Sequence, residues 1–455
     1  MSTINSKDKD YVVKPGEVLI GSSLLKSKKF KPKDRVGYML KNMQFNKVYL
    51  NKKTKSISKN NKILEELKNN FKTYRDQWSE QPKKIIRNKI SSDNLGSQNV
   101  KPLCVDIEVA SICDLACPFC FREHEVTPDK IINEKFCYNL IDQAAELKIP
   151  SIKFNWRGEP LLHPKLPKFI KYAKKKGILE TIINTNATHL SEKKSIELID
   201  AGLDLIIYSF DGGSKKTYEK MRPGRFKKNK FDDVYENIKK FKKIKDKLKT
   251  PFPYTKIQMI LTKETMNEID NFFILFKNYV DDVSLSQYTE RGGDLEALND
   301  SELDSYNRKI KEKNLPNGTP YLKDIMGNIK ISRGRVPCEQ PFQRLMISYE
   351  GKVAMCCYDW GAKHAIGYTN SKSFNNQKDY TSVFKKAKNR EKGFELLDRI
   401  TMPKEFNKPE QKLETIEEIW FGKEINKVRD DHLKCSGINT EICKECTFKD
   451  VYKWE

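Results

Sequence analysis

The sequence predicts an α/β fold in which parallel strands alternate with helices, followed by a small C-terminal α+β region. Three observations carry that reading. From Leu103 onward, segments of strand period and segments of helical period alternate through six units. The chain has 455 residues, too many for one ordinary core, so two or three domains are expected. Its eleven cysteines fall between Cys104 and Cys137 and between Cys338 and Cys446, with none in the middle, which implies two separate cysteine sites.

The elements follow in order. Val105, Ile107 and Val109 alternate with Asp106 and Glu108, a period-2 strand. Ile131, Ile132, Phe136, Leu140, Ile141, Ala144 and Leu147 then recur at helical spacing. A second strand carries Ile152, Phe154 and Trp156, and Pro164 and Gly177 bracket the next helix. Ile182 and Ile183 mark a third strand, and Ser191 suits the N-cap of a helix ending near Gly202. Leu205 to Ile207 form a fourth strand, followed by a basic helix from Phe231. Ile257 to Leu261 and Val283 to Tyr288 are two further strands around a helix near Met266 to Tyr279. Six such units imply a parallel sheet with helices outside. Right-handed crossovers allow the sheet to curl into a partial (β/α)6, TIM-like barrel; periodicity alone leaves an open doubly wound sheet as the alternative. In both, functional groups belong at the carboxyl ends of the strands.

Residues 1–102 read as a basic extension without an assigned function. Asn46–Asn60 and Lys89–Pro102 read as loops, and one helix is expected around Asn61–Trp78. Lys and Arg number 86 against 62 Asp and Glu, a net charge of +24. The excess is spread through the chain as Lys, and no nucleic-acid-binding motif accompanies it, so a solvated surface is expected rather than a nucleic-acid site. No stretch approaches the roughly 20 apolar residues that cross a bilayer, and the opening Met-Ser-Thr-Ile-Asn-Ser-Lys-Asp has no apolar signal segment. A cytoplasmic location without a membrane span is the expectation. Cysteines in such a chain point to metal or catalysis rather than to disulfides.

The most informative segment is Cys113-Asp-Leu-Ala-Cys117-Pro-Phe-Cys120, just past the first strand. Chance would supply this spacing about 0.006 times in a chain with this many cysteines. Three thiolates on one short loop can ligate three irons of a cubane and leave the fourth iron open. Structural zinc, with His124 as a fourth ligand, is the alternative on spacing alone. C-x-x-x-C-x-x-C in this position resembles the radical S-adenosylmethionine (SAM) superfamily. The resemblance implies that the open iron chelates SAM and that one electron cleaves SAM to methionine and a 5′-deoxyadenosyl radical, which abstracts hydrogen from a substrate. Phe119 matches the position beside the adenine. Trp156-Arg157-Gly158-Glu159-Pro160 is similar to the family's Gly-Gly-Glu-Pro segment, implying that Gly158 and Glu159 grip the cofactor's ammonium; Arg157 replaces the first glycine. Thr185 and Asn186, at the end of the third strand, match the segment contacting the ribose and methionyl groups. Ser209 and Asp211, at the end of the fourth, match positions facing the cofactor.

In the second cysteine region, Leu345–Tyr349 and Lys352–Cys356 flank Gly351, which predicts a β-hairpin bringing Cys338 toward Cys356. Cys443-Lys-Glu-Cys446 follows a helical stretch over Ile416–Asp431. The arrangement resembles the auxiliary iron–sulfur domains of the SPASM and shorter twitch types. It implies that Cys338, Cys356, Cys443 and Cys446 ligate one auxiliary [4Fe–4S] cluster, with Cys435 able to replace one of them. A zinc ribbon is the alternative on spacing. Cys357, Cys104 and Cys137 read as packing residues.

The resulting expectation is a radical SAM barrel over 103–300, a linker over 301–335 and an auxiliary-cluster domain over 336–455. Two [4Fe–4S] clusters and SAM are the implied cofactors, with a reductant such as flavodoxin or ferredoxin. Tyr288 and Arg291, beyond the sixth strand, are candidate substrate contacts. A small, carbohydrate-like substrate is favoured because 1–102 carries no clear peptide-binding domain. A ribosomally made peptide is the alternative within this chemistry, and a zinc- and nucleic-acid-binding protein the alternative outside it.

Overall fold

The structure is a computed structural model that describes residues 34–45, 61–120, 127–287, 338–374 and 412–433, with Arg122, Thr440 and Cys443; residues 89, 91–93, 97, 99, 263, 361 and 363 are excepted. His124, Tyr288, Arg291, the 301–335 linker, Cys435 and Cys446 lie outside the described residues.

The six expected strands are β1 (Cys104–Ile107), β2 (Ser151–Lys153), β3 (Glu180–Thr185), β4 (Leu205–Ser209), β5 (Tyr254–Leu261) and β6 (Asp282–Gln287). All pair in parallel with their neighbours. The C-terminal region adds β7 (Arg344–Ile347), β8 (Lys352–Ala354) and β9 (Gly367–Tyr368). Together they make one sheet, ordered β6-β5-β4-β3-β2-β1-β7-β8-β9, which is not closed into a barrel.

Outer helices cover one face of this sheet. They are α3 (Glu134–Glu146), α4 (Leu166–Lys175), α5 (Glu192–Asp200), α6 (Lys215–Met221), α7 (Phe231–Lys247) and α8 (Ile269–Phe276). Ser191 caps α5 by accepting from the Lys194 N–H, as its sequence position predicts. The short helix α6 carries too few residues to show a period and was not expected. Val105, Ile107, Ile152, Ile183, Ile206, Tyr208, Ile257, Met259, Val283 and Leu285 face the helices in a continuous core with Leu140, Phe169, Leu198, Ile238 and Phe272. Each such side chain contributes roughly 1.5–3 kcal/mol by leaving water.

The alternate strand positions face inward. At the amino ends of the strands this inner face is apolar and plugged. Met39 of α1 (Arg35–Asn42) and Phe71 and Tyr74 of α2 (Asn61–Arg87) pack on Leu103, Ile182, Leu205, Phe252 and Tyr254. Arg35 and Tyr74 both reach the fully buried Glu180, Tyr74 Oη donating at 3.0 Å. The expected single helix over Asn61–Trp78 therefore runs nine residues further, through Pro82, and a second helix precedes it. Tertiary contacts override the proline: Gln81 Nε2 donates to the carbonyls of Lys101 (3.1 Å) and Phe342 (2.8 Å), fastening this end of α2 to the sheet.

Two buried clamps repeat around the amino-end rim. Lys174 Nζ donates to Asp204 (2.7 Å), which also accepts from the N–H and hydroxyl of Thr181. Lys245 Nζ donates to Asp281 (3.1 Å), which accepts from the N–H and hydroxyl of Thr255 in the same manner.

The C-terminal hairpin forms as its turn predicts, β7 pairing with β8 in antiparallel fashion and Gly351 taking φ +104°. The sequence did not indicate that β7 also pairs in parallel with β1. The single expected helix over Ile416–Asp431 is two, α9 (Ile416–Trp420) and α10 (Lys423–Leu433). They break at Gly422, where a Cβ would stand 2.7 Å from the Glu418 carbonyl oxygen.

Candidate active site

The cysteine loop leaves the carboxyl end of β1 and is held from three sides. Ala116 N–H donates to the Pro223 carbonyl (2.9 Å) and Arg225 N–H to that of Asp114 (2.8 Å), a bridge centred on Leu115 and Gly224. Arg122 folds back to the Ser111 carbonyl and to Asp129, and Arg225 joins Asp129 at 2.6 Å. Asp114 accepts from Asn186 Nδ2 (2.9 Å) and Thr188 Oγ1 (2.7 Å) and stands 3.3 Å from His189. These bonds tie the loop to the end of β3 and hold the Asp114 carboxyl below its usual range.

Within the loop, Cys117 is buried while Cys113 and Cys120 are partly exposed. Burial pushes the Cys113 thiol up to about 12, and the neighbouring Glu159 adds to the rise. Burial also raises the Cys117 thiol strongly, opposed by Arg222 and reinforced by Cys120 and Cys113. The three thiols are close enough to repel one another as thiolates. Yet among the described residues no group of three or more His, Cys, Asp or Glu side chains is gathered tightly enough to hold an ion by itself. Three soft donors on one short loop suit an iron–sulfur cubane, whose binding would displace their protons.

The remaining sequence-predicted positions surround the loop. Gly158 has φ +66°, and a Cβ there would lie 2.5 Å from the carbonyl oxygens of Ala110 and Ile112. Only glycine lets this turn press against the loop's base, leaving those carbonyls a close-fitting cradle. Glu159 is buried and accepts from Thr185 Oγ1 (2.7 Å), the Asn186 N–H (2.7 Å) and the Leu161 N–H (3.0 Å). Burial lifts its carboxyl to about 7 despite those bonds. Asn186 Nδ2 also approaches Cys113 Sγ at 4.0 Å. Asp211 accepts from the Ile260 N–H and pairs with Arg222 at 2.6 Å, and the Arg222 guanidinium stands 5.8 Å from the Phe119 ring centroid. Ser209 sits on the inward face of β4, beside Gln258 of β5. Thus Gly158, Glu159, Thr185, Asn186 and Asp211 all converge on the loop through named partners.

Several residues of this assembly are silent in the sequence. Arg222, Asp114, Thr188 and His189 join the site through contacts between distant segments, and only the Pro223-Gly224 turn beside Arg222 offered a local signal. Arg157, which stands where the family motif has glycine, makes a fully buried two-pronged pair with Glu108 (2.6 and 2.7 Å). Glu108 accepts in addition from the Tyr349 N–H (3.1 Å), and Trp156 Nε1 donates to the Cys357 carbonyl (3.2 Å). The segment carrying Gly158 and Glu159 is thereby fastened to the hairpin that leads into Cys356.

At the second site, Cys338, Cys356 and Cys443 are all partly buried, and Cys356 and Cys443 pack against the main core. Cys338 N–H donates to His432 Nδ1 (3.1 Å), whose Nε2 is 3.5 Å from Cys443 Sγ. Cys137 is fully buried in the apolar core, as a packing residue should be, whereas the equally buried Cys104 lies on the polar inner face, its thiol donating to Asp106 Oδ1 at 3.2 Å. No helix among the described residues is long and apolar enough to cross a membrane.

Comparison with known proteins agrees with this geometry. The Radical SAM superfamily model matches residues 107–275, and the SPASM model, an iron–sulfur cluster-binding domain, matches residues 338–394. The tungsten-containing aldehyde ferredoxin oxidoreductase cofactor-modifying protein of Pyrococcus furiosus is 27% identical over 170 residues, 36% of this chain and 45% of that protein. GTP 3′,8-cyclase of Chlorobaculum tepidum is 25% identical over 276 residues, 56% of this chain and 78% of that protein. PqqA peptide cyclase of Bradyrhizobium diazoefficiens is 30% identical over 112 residues, 24% of this chain and 29% of that protein. The first and third matches thus span less than half of those proteins. Radical SAM domains carry a [4Fe–4S] cluster and SAM, and the SPASM domain an auxiliary iron–sulfur cluster. With a cysteine loop at the carboxyl ends of an open parallel sheet and both family models matched in order, this chain carries a Radical SAM superfamily domain followed by a SPASM iron–sulfur cluster-binding domain.

Proposed function

We propose that Cys113, Cys117 and Cys120 hold the catalytic cluster and that the chain abstracts hydrogen from a polar small molecule bound in the barrel lumen. The observation that carries the substrate reading is the inner face of the sheet. Above the apolar plug it bears Lys153, Asn184, Ser209, Gln258, Ser284 and Ser286, alternate to the helix-facing core positions. Asp106, beside Lys153 in register, pairs with Arg344 at 3.4 Å, and burial holds the Lys153 amine below its usual pKa. Amide, hydroxyl and ammonium groups sharing one face of the sheet above an apolar plug suit a substrate rich in hydroxyl or anionic groups.

Held by Cys113, Cys117 and Cys120, the cluster would supply the electron for reductive cleavage of SAM and with it the capacity for hydrogen abstraction. The chain's own residues orient and enclose. Gly158 and Glu159, braced by Thr185 and Asn186, present a carboxylate and carbonyls suited to an ammonium group. Phe119 offers an aromatic face, and Asp211 orients Arg222 beside Cys117. The plug formed by α1 and α2 excludes water from below. Cys338, Cys356, Cys443 and Cys446 are the proposed auxiliary ligands, and an external one-electron reductant of the flavodoxin or ferredoxin kind is the proposed partner.

A peptide substrate is the second reading, favoured by the similarity to PqqA peptide cyclase. The test is anaerobic incubation of the reconstituted full chain with SAM, dithionite and a panel of sugars, nucleotides and peptides. Deoxyadenosine formation and product mass are measured. The reconstituted chain should hold about eight irons, and Cys117→Ala should form no deoxyadenosine. Cys443→Ala should retain uncoupled cleavage. Equal cleavage by wild type and Cys117→Ala, or a colourless zinc protein, would overturn the assignment. A mass change in peptides alone would replace the small-molecule reading.

A further inference from the structure

The helix α10 presents Ile425, Asn426, Val428, Arg429 and His432 to the interior, one buried face over two turns. Arg429 anchors it: Nε donates to the Pro341 carbonyl (3.0 Å), a second nitrogen donates to the Trp420 carbonyl (2.6 Å), and the guanidinium lies 4.1 Å from the Trp420 ring centroid. One turn later His432, 1% exposed, reaches the two cysteines. The same turn of helix fixes the chain around Cys443. Asp431 accepts from the N–H and hydroxyl of Thr440 (2.7 and 2.8 Å), and Cys443 N–H donates to the Thr440 carbonyl (2.8 Å).

These contacts determine the tautomer of His432. A backbone N–H can only donate, so Nδ1, receiving the Cys338 N–H at 3.1 Å, presents a lone pair. The proton of the neutral ring then resides on Nε2, which points at Cys443 Sγ at 3.5 Å. That separation suits an N–H···S hydrogen bond. The ring is therefore arranged as a donor to sulfur and turns no lone pair toward the cysteines' shared site.

We propose that His432 is a positioning residue of the auxiliary centre: its Nε2–H donates to the Cys443 thiolate and raises the reduction potential of the cluster that this sulfur ligates. A hydrogen bond to a ligating sulfur withdraws negative charge, which stabilises the reduced cluster more than the oxidised one. The inference rests on the reading of Cys338, Cys356 and Cys443 as auxiliary ligands.

The test uses the full chain with Cys113→Ala, Cys117→Ala and Cys120→Ala, reconstituted with iron and sulfide, so that the auxiliary cluster is observed alone. With ¹⁵N-labelled histidine, pulsed EPR of the reduced cluster should detect one weakly coupled histidine nitrogen. Adding His432→Phe should remove that coupling and move the midpoint potential to more negative values at unchanged iron content. If His432→Phe fails to retain iron, the nitrogen coupling in the parent decides alone. No histidine coupling, a strong coupling typical of a directly ligating nitrogen, or an unchanged potential in an iron-replete His432→Phe protein each overturns the proposal. A parent that binds no cluster overturns the ligand reading itself and the inference with it, an outcome distinct from a cluster that lacks the coupling.

Discussion

At the amino ends of the strands, buried charge is answered inside the fold; at the carboxyl ends it is left partly unanswered. The Lys174–Asp204 and Lys245–Asp281 clamps give each carboxylate a cation and a threonine, all within hydrogen-bond distance. Around the cysteine loop, by contrast, burial raises two thiols and brings the Glu159 carboxyl to about 7. A rim that satisfies its own charges contributes stability, whereas one that holds raised thiols beside a raised carboxyl awaits a ligand. The same sheet thus separates the two tasks by height.

This contrast can be broken at either end. The largest effect is expected from Lys174→Met or Lys245→Met, each leaving a buried carboxylate without its cation. Loss of one partner should cost about 3–5 kcal/mol, read by urea denaturation. Similar losses at the two sites would sharpen the view of the clamps as equivalents, and a loss under about 1 kcal/mol would break it.

At the other end, the sign of the effect depends on pH. The Glu159 carboxyl titrates near 7 in the folded state against an ordinary 4.5, so folding retains a proton that the unfolded chain releases between those values. Its contribution therefore falls as pH rises from about 4.5 to about 7, by on the order of 3 kcal/mol, and is level outside that window. Denaturation of the cluster-free protein from pH 4.5 to 8 should show Glu159→Gln losing less stability across the window than wild type; parallel profiles would refute the cause.

Smaller effects should come from the plug and from a cap. Tyr74→Phe removes the phenol's bond to ionised Glu180 and should cost about 2 kcal/mol in the same assay. Ser191→Ala removes the α5 cap at the site's edge, and about 1 kcal/mol is expected. A Ser191→Ala loss exceeding that of Lys174→Met would reverse the ranking of the two rims.

The sequence made the barrel legible because each of its strands is covered by helices on one face, which yields short apolar runs between helical periods. The cysteine loop was legible from spacing alone. What escaped notice depended on distance along the chain or on local conflict. Arg35–Asn42 is too short to announce a helix, and Pro82 argued against the continuation of α2 that its contacts to residues 101 and 342 secure. Arg222 reaches Asp211 and Phe119 only after α6 turns the chain back. The pair between Arg157 and Glu108 joins residues 49 apart, and no local pattern encodes it. His432 lies one residue past the expected Ile416–Asp431 stretch, and nothing local marks a ring that reaches both Cys338 and Cys443.

The parallel contact of β7 with β1 also bears on how the chain can be divided. Leu345, Met346 and Ile347 lie alongside Val105, Asp106 and Ile107, the strand from which the cysteine loop departs. Excising everything after residue 337 would bare that strand's main chain, and an uncovered strand margin invites other chains to add to it. The C-terminal region is thus less an appendage than a lining sewn to the catalytic strand, and transplanting either half demands a substitute for the seam.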